Sequence, residues 1–161
     1  MLHPKQFEVN EAWIAFRLNR APIRTERDGD LNCIALMDAG SCFLFGSEFI
    51  PVTAKEPTRV QVRRLLKKAK RHKQQLPKAL FVAREDAADL LTHEATQQNI
   101  DVVRIPENEL LIFTREARDA FAEYFEEVRR GSRQYEEANR CLRRERPPPH
   151  SSAARSRGCW R

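Results

Sequence analysis

Two apolar segments joined by a short turn constrain the fold more than any other feature of the sequence. Residues 31–38 and 41–50 flank the turn-forming run Asp38-Ala39-Gly40-Ser41, and together they are typical of a β-hairpin. With the turn centred on Ala39-Gly40, apolar side chains fall on both faces: Ile34, Leu36, Phe43 and Phe45 on one, and Ala35, Met37, Cys42 and Leu44 on the other. A sheet covered on both sides by helices or by a second layer explains this pattern.

After Pro57 the apolar period changes from that of a strand to that of a helix. One apolar stripe is formed by Val62, Leu65, Leu66, Ala69 and Leu76. A short buried strand is then predicted at 79–82, a second helix at 86–98 and a strand at 101–105. The inward positions of the second helix are predicted to be Ala87, Leu90, Leu91 and Ala95, and Asn99 is a plausible left-handed end for it.

A third helix is predicted after the last strand, with Thr114 as its cap and Gly131 as its end. Its inner face is predicted to consist of Ala117, Ala120, Phe121, Tyr124, Phe125 and Val128. Near the start of the chain, residues 13–19 alternate as a strand does, although Asn10 and Pro22 would also suit the two ends of a helix. The sequence therefore predicts an α/β (α+β) fold, in which an N-terminal antiparallel β-meander is followed by αβαβα in one mixed sheet flanked by helices.

The length of 161 residues, 41% of them hydrophobic, suits one core. We expect a single α/β domain over 1–131, a polar helix or extension over 132–146, and a disordered basic tail over 147–161, which begins Pro147-Pro148-Pro149. Nothing in the sequence resembles a membrane span or a secretory signal, so a cytoplasmic location is expected. The four cysteines are too scattered for a zinc site, and glycine-rich nucleotide-binding motifs are missing, so we expect no metal and no cofactor.

Charge is distributed unevenly along this chain of formal net charge +6. Residues 132–161 carry 8 basic and 3 acidic side chains, whereas residues 59–73 carry 8 basic side chains and no acidic one. The basic residues of the helix are Arg59, Arg63, Arg64, Lys67, Lys68, Lys70, Arg71 and Lys73. Most of them project away from the predicted apolar stripe, and clustered cations of this kind are typical of phosphate-contacting surfaces. A solvated helix face beside an acidic body is the alternative interpretation.

Carboxylates near the predicted strand ends are the residues most worth testing for catalysis, because clustered carboxylates can hold divalent metals for phosphodiester cleavage. The strand Ile34-Ala35-Leu36-Met37-Asp38, followed by a hairpin, a helix, a strand, a helix and a strand, resembles a degenerate ribonuclease H-like or integrase-type core over about residues 31–125. In that family, acids on the first strand, after the fourth strand and on a late helix bind the metals. The resemblance places Asp38, Asp86 and Glu116 in these roles as weak catalytic candidates.

The charge pattern predicts a non-enzymatic, nucleic-acid-associated accessory protein that binds the phosphate backbone of DNA or RNA through the basic helix, with the tail adding non-specific affinity. The first alternative is a protein-interaction module, in which the helix meets an acidic protein partner or the acidic part of a second copy in a homo-oligomer. A divalent-metal-dependent nuclease is the third hypothesis, and it depends on the resemblance.

Overall fold

The computed structural model describes residues 1–144, without the side chains of residues 138, 139 and 141–144. The strands are β1 (Ala12–Arg17), β2 (Ile23–Arg24), β3 (Asp30–Asp38), β4 (Leu44–Pro51), β5 (Ala79–Ala83) and β6 (Asp101–Ile105). The helices are α1 (Arg59–Lys73), α2 (Asp89–Gln97) and α3 (Glu107–Arg144), and a short 3-10 turn spans Pro4–Gln6. This order confirms the predicted meander followed by αβαβα.

All six strands form one mixed sheet. β3 pairs antiparallel with β1, β2 and β4, whereas β1 with β5 and β5 with β6 pair in parallel. The parallel pairs are those joined through helices, as crossover connections require. In the described residues, β4 and β6 each have only one neighbouring strand.

Side chains from β1 alternate between two hydrophobic cores, one on each face of the sheet. Trp13 and Ala15 face α1 and α2, and Ile14 and Phe16 face the first turns of α3. The helices cover the first face with Val62, Leu65, Leu66, Ala69, Leu91 and Ala95, and the second with Leu110 and Phe113. Both faces of the central strands are therefore buried, as the doubly apolar hairpin predicted.

The predicted register of the hairpin is wrong. Cys33 pairs with Phe49 and Met37 with Leu44, and the pairing shifts between Leu36 and Met37. Residues 39–43 form a wider turn than the sequence suggested. Within it, Cys42 adopts a left-handed conformation at φ 56°, and its amide donates a hydrogen bond to the carbonyl of Asp38. Both cysteines of this region are free thiols.

Helix boundaries also differ from the predictions. α2 begins at Asp89, so Ala88 is buried and Ala87 is exposed. Thr114 lies inside α3, where its hydroxyl donates to the carbonyl of Leu110 at 3.1 Å rather than capping the helix. Gly131 does not end α3 either, because the helix continues to Arg144.

The chain divides into two compact units, Met1–Glu123 and Tyr124–Arg161. The first contains the whole sheet and both cores. In the described part of the second, Tyr124, Val128 and Tyr135 are exposed, contrary to the predicted burial of Tyr124 and Val128. The tail at 147–161 lies outside the described residues. No helix over residues 1–144 is both long enough and apolar enough to cross a membrane.

Candidate nucleic-acid interface

α1 is the element that carries the predicted nucleic-acid-binding residues, and local interactions fix both of its ends. Thr58 and Gln61 form a capping box, in which the Gln61 side chain accepts from the Thr58 amide at 3.0 Å. The helix ends at Gln74, whose left-handed backbone lets its amide donate to the carbonyl of Lys70. The buried stripe consists of Val62, Leu65, Leu66 and Ala69, as predicted, so the basic residues lie on the remaining faces.

Two basic residues in the first half of α1 converge on one carboxylate of α2. Arg59 Nε lies 3.2 Å from Glu94 Oε1, and Arg63 Nε donates to Glu94 Oε2 at 2.8 Å. The side chain of Glu94 is only 5% exposed. The hydrogen bond from Arg63 holds the pKa of Glu94 below its ordinary value, and the same bond raises the pKa of Arg63. The positive charge of Arg59 and Arg63 is therefore partly neutralised by Glu94.

Two further basic residues of α1 contact Glu48 on β4. Arg64 Nη1 donates to Glu48 Oε2 at 3.0 Å, and Lys68 Nζ lies 3.8 Å from Glu48 Oε1. Glu48 is buried beside them. The aliphatic stem of Lys68 lies over Gly46, where an added Cβ would be 3.0 Å from Lys68 Cδ. A side chain at position 46 would therefore displace the stem that holds this ammonium group.

The other four basic residues of α1 have no ion pair within residues 1–144; they are Lys67, Lys70, Arg71 and Lys73. Lys67, Lys70 and Arg71 are exposed and follow the i, i+3, i+4 spacing that places side chains on the same helix face. Their position near the C-terminus of α1 is favoured by the helix dipole. Because these like charges lie close together without a carboxylate partner, they give this surface a positive potential that attracts anions. We call Lys67, Lys70, Arg71 and Lys73 the unpaired basic cluster.

Aromatic rings border this end of α1. The imidazole of His72 stacks on Phe43, with ring centroids 4.4 Å apart and planes 10° from parallel. Phe45 lies 5.9 Å from both rings and 5.2 Å from the indole of the buried Trp13. Phe43 remains 45% exposed. Through His72, the last turn of α1 therefore contacts an aromatic stack that continues into the core.

Asp38, the first weak catalytic candidate, holds the turn between β3 and β4. Its carboxylate accepts hydrogen bonds from the amide of Asn10 at 2.7 Å, the amide of Ser41 at 2.8 Å and the hydroxyl of Ser41 at 2.5 Å. It is fully buried at the end of β3. β1, the first strand of the sheet, has the sequence Ala-Trp-Ile-Ala-Phe-Arg and carries no acid.

Asp86 and Glu116, the other two weak candidates, contribute to separate cavities. Asp86 lines a cavity of about 80 Å³ under α1 and α2, together with Arg17, Asn32 and Lys55. Burial raises the pKa of Asp86, with Arg17 opposing the shift and Glu107 adding to it. Glu116 lines an open groove of about 330 Å³ between the β3–β4 turn and α3. Within residues 1–144, no group of three or more histidine, cysteine or acidic side chains is placed to hold a metal ion.

Glu94 is a functional residue that the sequence analysis missed, and Glu48 was considered there only as one of the carboxylates near strand ends and not as a partner of α1. A signal for Glu48 existed, because it alternates with Ile50 and Gly46 along β4 and so points toward α1. A signal for Glu94 was weaker, since its place beside the buried Ala95 suggests only the edge of the apolar face of α2. Neither pattern identifies the arginine that each carboxylate meets.

No protein-family model matches this chain, and no curated protein matches it. Among solved structures, it is similar to a chain in the cryo-EM structure of a simian T-cell lymphotropic virus intasome in complex with PP2A regulatory subunit B56 gamma. That likeness has a TM-score of 0.47 at 16% sequence identity and covers 79% of this chain but only 43% of the viral complex chain. It amounts to a loose similarity of layout and confirms no family.

Proposed function

We propose that this protein is a non-enzymatic, nucleic-acid-associated accessory protein that binds phosphate groups through α1. The observation that carries the proposal is the unpaired basic cluster, because Lys67, Lys70, Arg71 and Lys73 have no carboxylate partner within residues 1–144. Four like charges near one end of a helix repel one another, and the phosphate groups of a bound nucleic acid would relieve that repulsion.

Counterion release gives this cluster its affinity for a nucleic acid. Each ammonium or guanidinium group that neutralises a phosphate releases a condensed cation, and this term does not depend on base sequence. The half-exposed Arg59, Arg63, Arg64 and Lys68 supply additional positive potential, although Glu94 and Glu48 offset part of it. The net charge of residues 132–161, with 8 basic and 3 acidic side chains, supports an added non-specific contribution from the C-terminal segment.

Charge reversal of Lys67, Lys70 and Arg71 to glutamate tests the proposal. None of the three lies on the buried stripe of α1, so the variant should fold. Its affinity for DNA and RNA should fall regardless of sequence, and the slope of log affinity against log salt should fall by roughly 2 to 3 because about three phosphate contacts are lost. Fluorescence anisotropy over a salt series measures both quantities.

A matched control variant reverses Lys5, Arg24 and Arg27, which are exposed and have no ion pair in the described part of the chain. The two triple variants have equal net charge, so a difference between them reports the position of the charges. An equal loss of affinity in both triple variants would show that affinity depends on net charge alone and not on the position of the cations. Failure of the parent to bind any nucleic acid at about 50 mM salt, where counterion release is strongly favourable, would refute the proposal.

Self-association is the second candidate function, and the edge of the sheet favours it. In the described residues β4 pairs only with β3, and Phe49 on this strand is 45% exposed. Gln61 Nε2 donates to the carbonyl of Phe49 at 2.8 Å and so occupies one backbone position of this edge, and the remaining positions can pair with the same strand of a second copy. Light scattering of the purified protein, freed of nucleic acid, distinguishes this candidate, because a stable dimer would support it and a monomer would not.

A further inference from the structure

The cavity of about 80 Å³ under α1 and α2 lies at the carboxyl halves of the parallel strands β1 and β5. After β1 the chain passes to β2 and β3 on one side of the sheet, whereas after β5 it passes to β6 on the other side. The strand order therefore reverses between β1 and β5. Ligands of open α/β sheets bind outside the carboxyl ends of the strands at such a switch point. The cavity occupies the position at which this fold accommodates a small molecule.

The inner part of the cavity is apolar. Ala15 pairs with both Leu36 and Val82 in neighbouring strands, so these three residues form one row across its floor. Val62 and Leu65 of α1 cover this row. An apolar cavity of about 150 Å³ accommodates the six carbons of benzene, so a cavity of about 80 Å³ has room for about three carbon atoms.

Polar residues line the opposite end of the cavity, which we call its mouth: Arg17, Asn32, Lys55 and Asp86. Arg17 is the last residue of β1, and Asn32 lies on β3 beyond the residue that pairs with Arg17. Asp86 follows the carboxyl end of β5. Lys55 belongs to the loop after β4, and that loop begins beside Asn32, because Asn32 pairs with Ile50 near the end of β4. The sheet therefore brings all four residues to one end.

The charged side chains at the mouth have no ion pair within residues 1–144; they are Arg17, Lys55 and Asp86. In the same residues, Asp86 forms hydrogen bonds through its backbone alone, from its amide to the carbonyl of Ala83 and from Arg104 to its own carbonyl. Burial raises the pKa of Asp86, and Arg17 opposes that shift, so the two side chains interact without direct contact. Two cations and one carboxylate therefore surround the mouth without neutralising one another.

The mouth is held in place by hydrogen bonds to the surrounding elements. Glu56, the neighbour of Lys55, accepts from the amide of Leu90 at 2.9 Å and so attaches the loop to the first turn of α2. Asn19 Nδ2 donates to Asn32 Oδ1 at 3.1 Å, and the amide nitrogen of Asn32 has no partner in the described residues. A ligand that enters a preformed site of this kind causes little loss of conformational entropy.

We propose that this cavity binds an aliphatic α-amino acid of about the size of valine. The side chain of the ligand fills the apolar interior, its carboxylate contacts Arg17 and Lys55, and its ammonium group contacts Asp86. Arginine suits this role because its guanidinium can donate two parallel hydrogen bonds to a carboxylate. A ligand with only a carboxylate would leave Asp86 without a partner, and one with only an amine would leave both cations without one. The inference does not rest on the proposed nucleic-acid binding.

Titration of the full chain with valine, followed by the NMR chemical shifts of its backbone amides, tests the proposal. Isovalerate and isobutylamine are matched probes, because they are valine without its ammonium group and valine without its carboxylate. Valine should shift the amides of Ala15 and Val82, and each probe should bind at least about 10-fold more weakly, because it loses a charge-assisted hydrogen bond. If valine causes no shifts, or if either probe binds as tightly as valine, the proposal is wrong.

Two variants assign the charged contacts. Asp86→Asn should bind valine at least about 10-fold more weakly but isovalerate no worse than the parent does, because a carboxylate that repels isovalerate is removed. Arg17→Gln should weaken the binding of both ligands. Arg24→Gln is the matched control, since Arg24 is exposed and has no ion pair in the described part of the chain. An equal loss of valine and isovalerate binding in Asp86→Asn would overturn the ammonium contact. None of these outcomes bears on the binding of nucleic acid.

Discussion

Arg63 donates its Nε–H to Glu94 at 2.8 Å and so joins the basic helix α1 to the buried face of α2. The carboxylate is 5% exposed and the guanidinium 59% exposed, so one partner is enclosed by protein and the other is hydrated. Arg59 approaches the second oxygen of the same carboxylate at 3.2 Å. Glu94 therefore positions two cations of α1 while helping to attach α1 to α2.

The Arg63–Glu94 pair predicts a loss of stability in acid. The hydrogen bond from Arg63 lowers the pKa of Glu94 below its ordinary value of 4.5, so the folded state binds this proton less readily than the unfolded chain. Its stabilisation is complete above pH 4.5 and is lost as the pH falls through the lowered pKa of the folded state. Urea unfolding across this range should show the free energy of unfolding decreasing toward low pH.

Glu94→Gln isolates this contribution because glutamine keeps the shape but does not titrate. The variant should be less stable than the parent at neutral pH, and the difference should shrink as the pH falls. A difference that stays constant through the acid range would contradict the assignment of the lowered pKa to Glu94.

The core contact of α3 predicts different costs for two phenylalanines of that helix. Phe113 is 1% exposed within the core on the second sheet face, whereas Phe121 packs at the edge of the same core and is only partly buried. Phe113→Ala should cost roughly 3 to 5 kcal/mol of unfolding free energy, and Phe121→Ala clearly less. Equal costs, measured by urea unfolding, would show that the two rings are equally buried.

Asp38 predicts a structural rather than a catalytic phenotype. Asp38→Ala removes the acceptor for the buried amide contacts of Asn10 and Ser41 and should cost roughly 1 to 3 kcal/mol. Asp38→Asn retains one oxygen and should cost less. Thermal melting of both variants shows which of the two substitutions costs more stability. Metal-dependent cleavage of nucleic acid that the parent performs and the folded Asp38→Asn variant lacks would support the nuclease hypothesis.

Local patterns in the sequence predicted those parts of the fold that depend on neighbouring residues. The stripe of Val62, Leu65, Leu66 and Ala69 follows from helical spacing alone, and all four are buried. The left-handed end of α2 at Asn99 was likewise predicted, and its φ is 58°. Both features depend on residues less than three turns apart.

Features set by distant residues were not predictable in this way. The N-terminal amide of Leu90 is satisfied by Glu56, 34 positions away, so α2 starts later than its own sequence suggested. The pairing of Arg63 with Glu94 spans 31 positions and that of Arg64 with Glu48 spans 16. The sequence therefore located the basic run but could not divide it into paired and unpaired cations.

Asp86 gives a pH dependence of opposite sign to that of Glu94. Burial raises its pKa above the ordinary value of 3.8, although Arg17 and Arg118 oppose the shift. The folded state therefore holds this proton more tightly than the unfolded chain, and the contribution of Asp86 to stability falls as the pH rises from 3.8 through the raised pKa. Well below pH 3.8 Asp86 is protonated in both the folded and the unfolded state, so its ionisation does not lower the stability there.

Asp86→Asn removes this ionisation and leaves the other acidic groups in place, so the difference between variant and parent isolates it. The unfolding free energy of the variant, relative to the parent, should increase with pH across the window and then remain constant. Glu26→Gln is the matched control, since Glu26 is exposed and has no ion pair or side-chain hydrogen bond in the described part of the chain. Parallel urea series for the three proteins measure the effect. An Asp86→Asn difference that does not change with pH would show that the carboxyl group is as well hydrated in the cavity as in the unfolded chain.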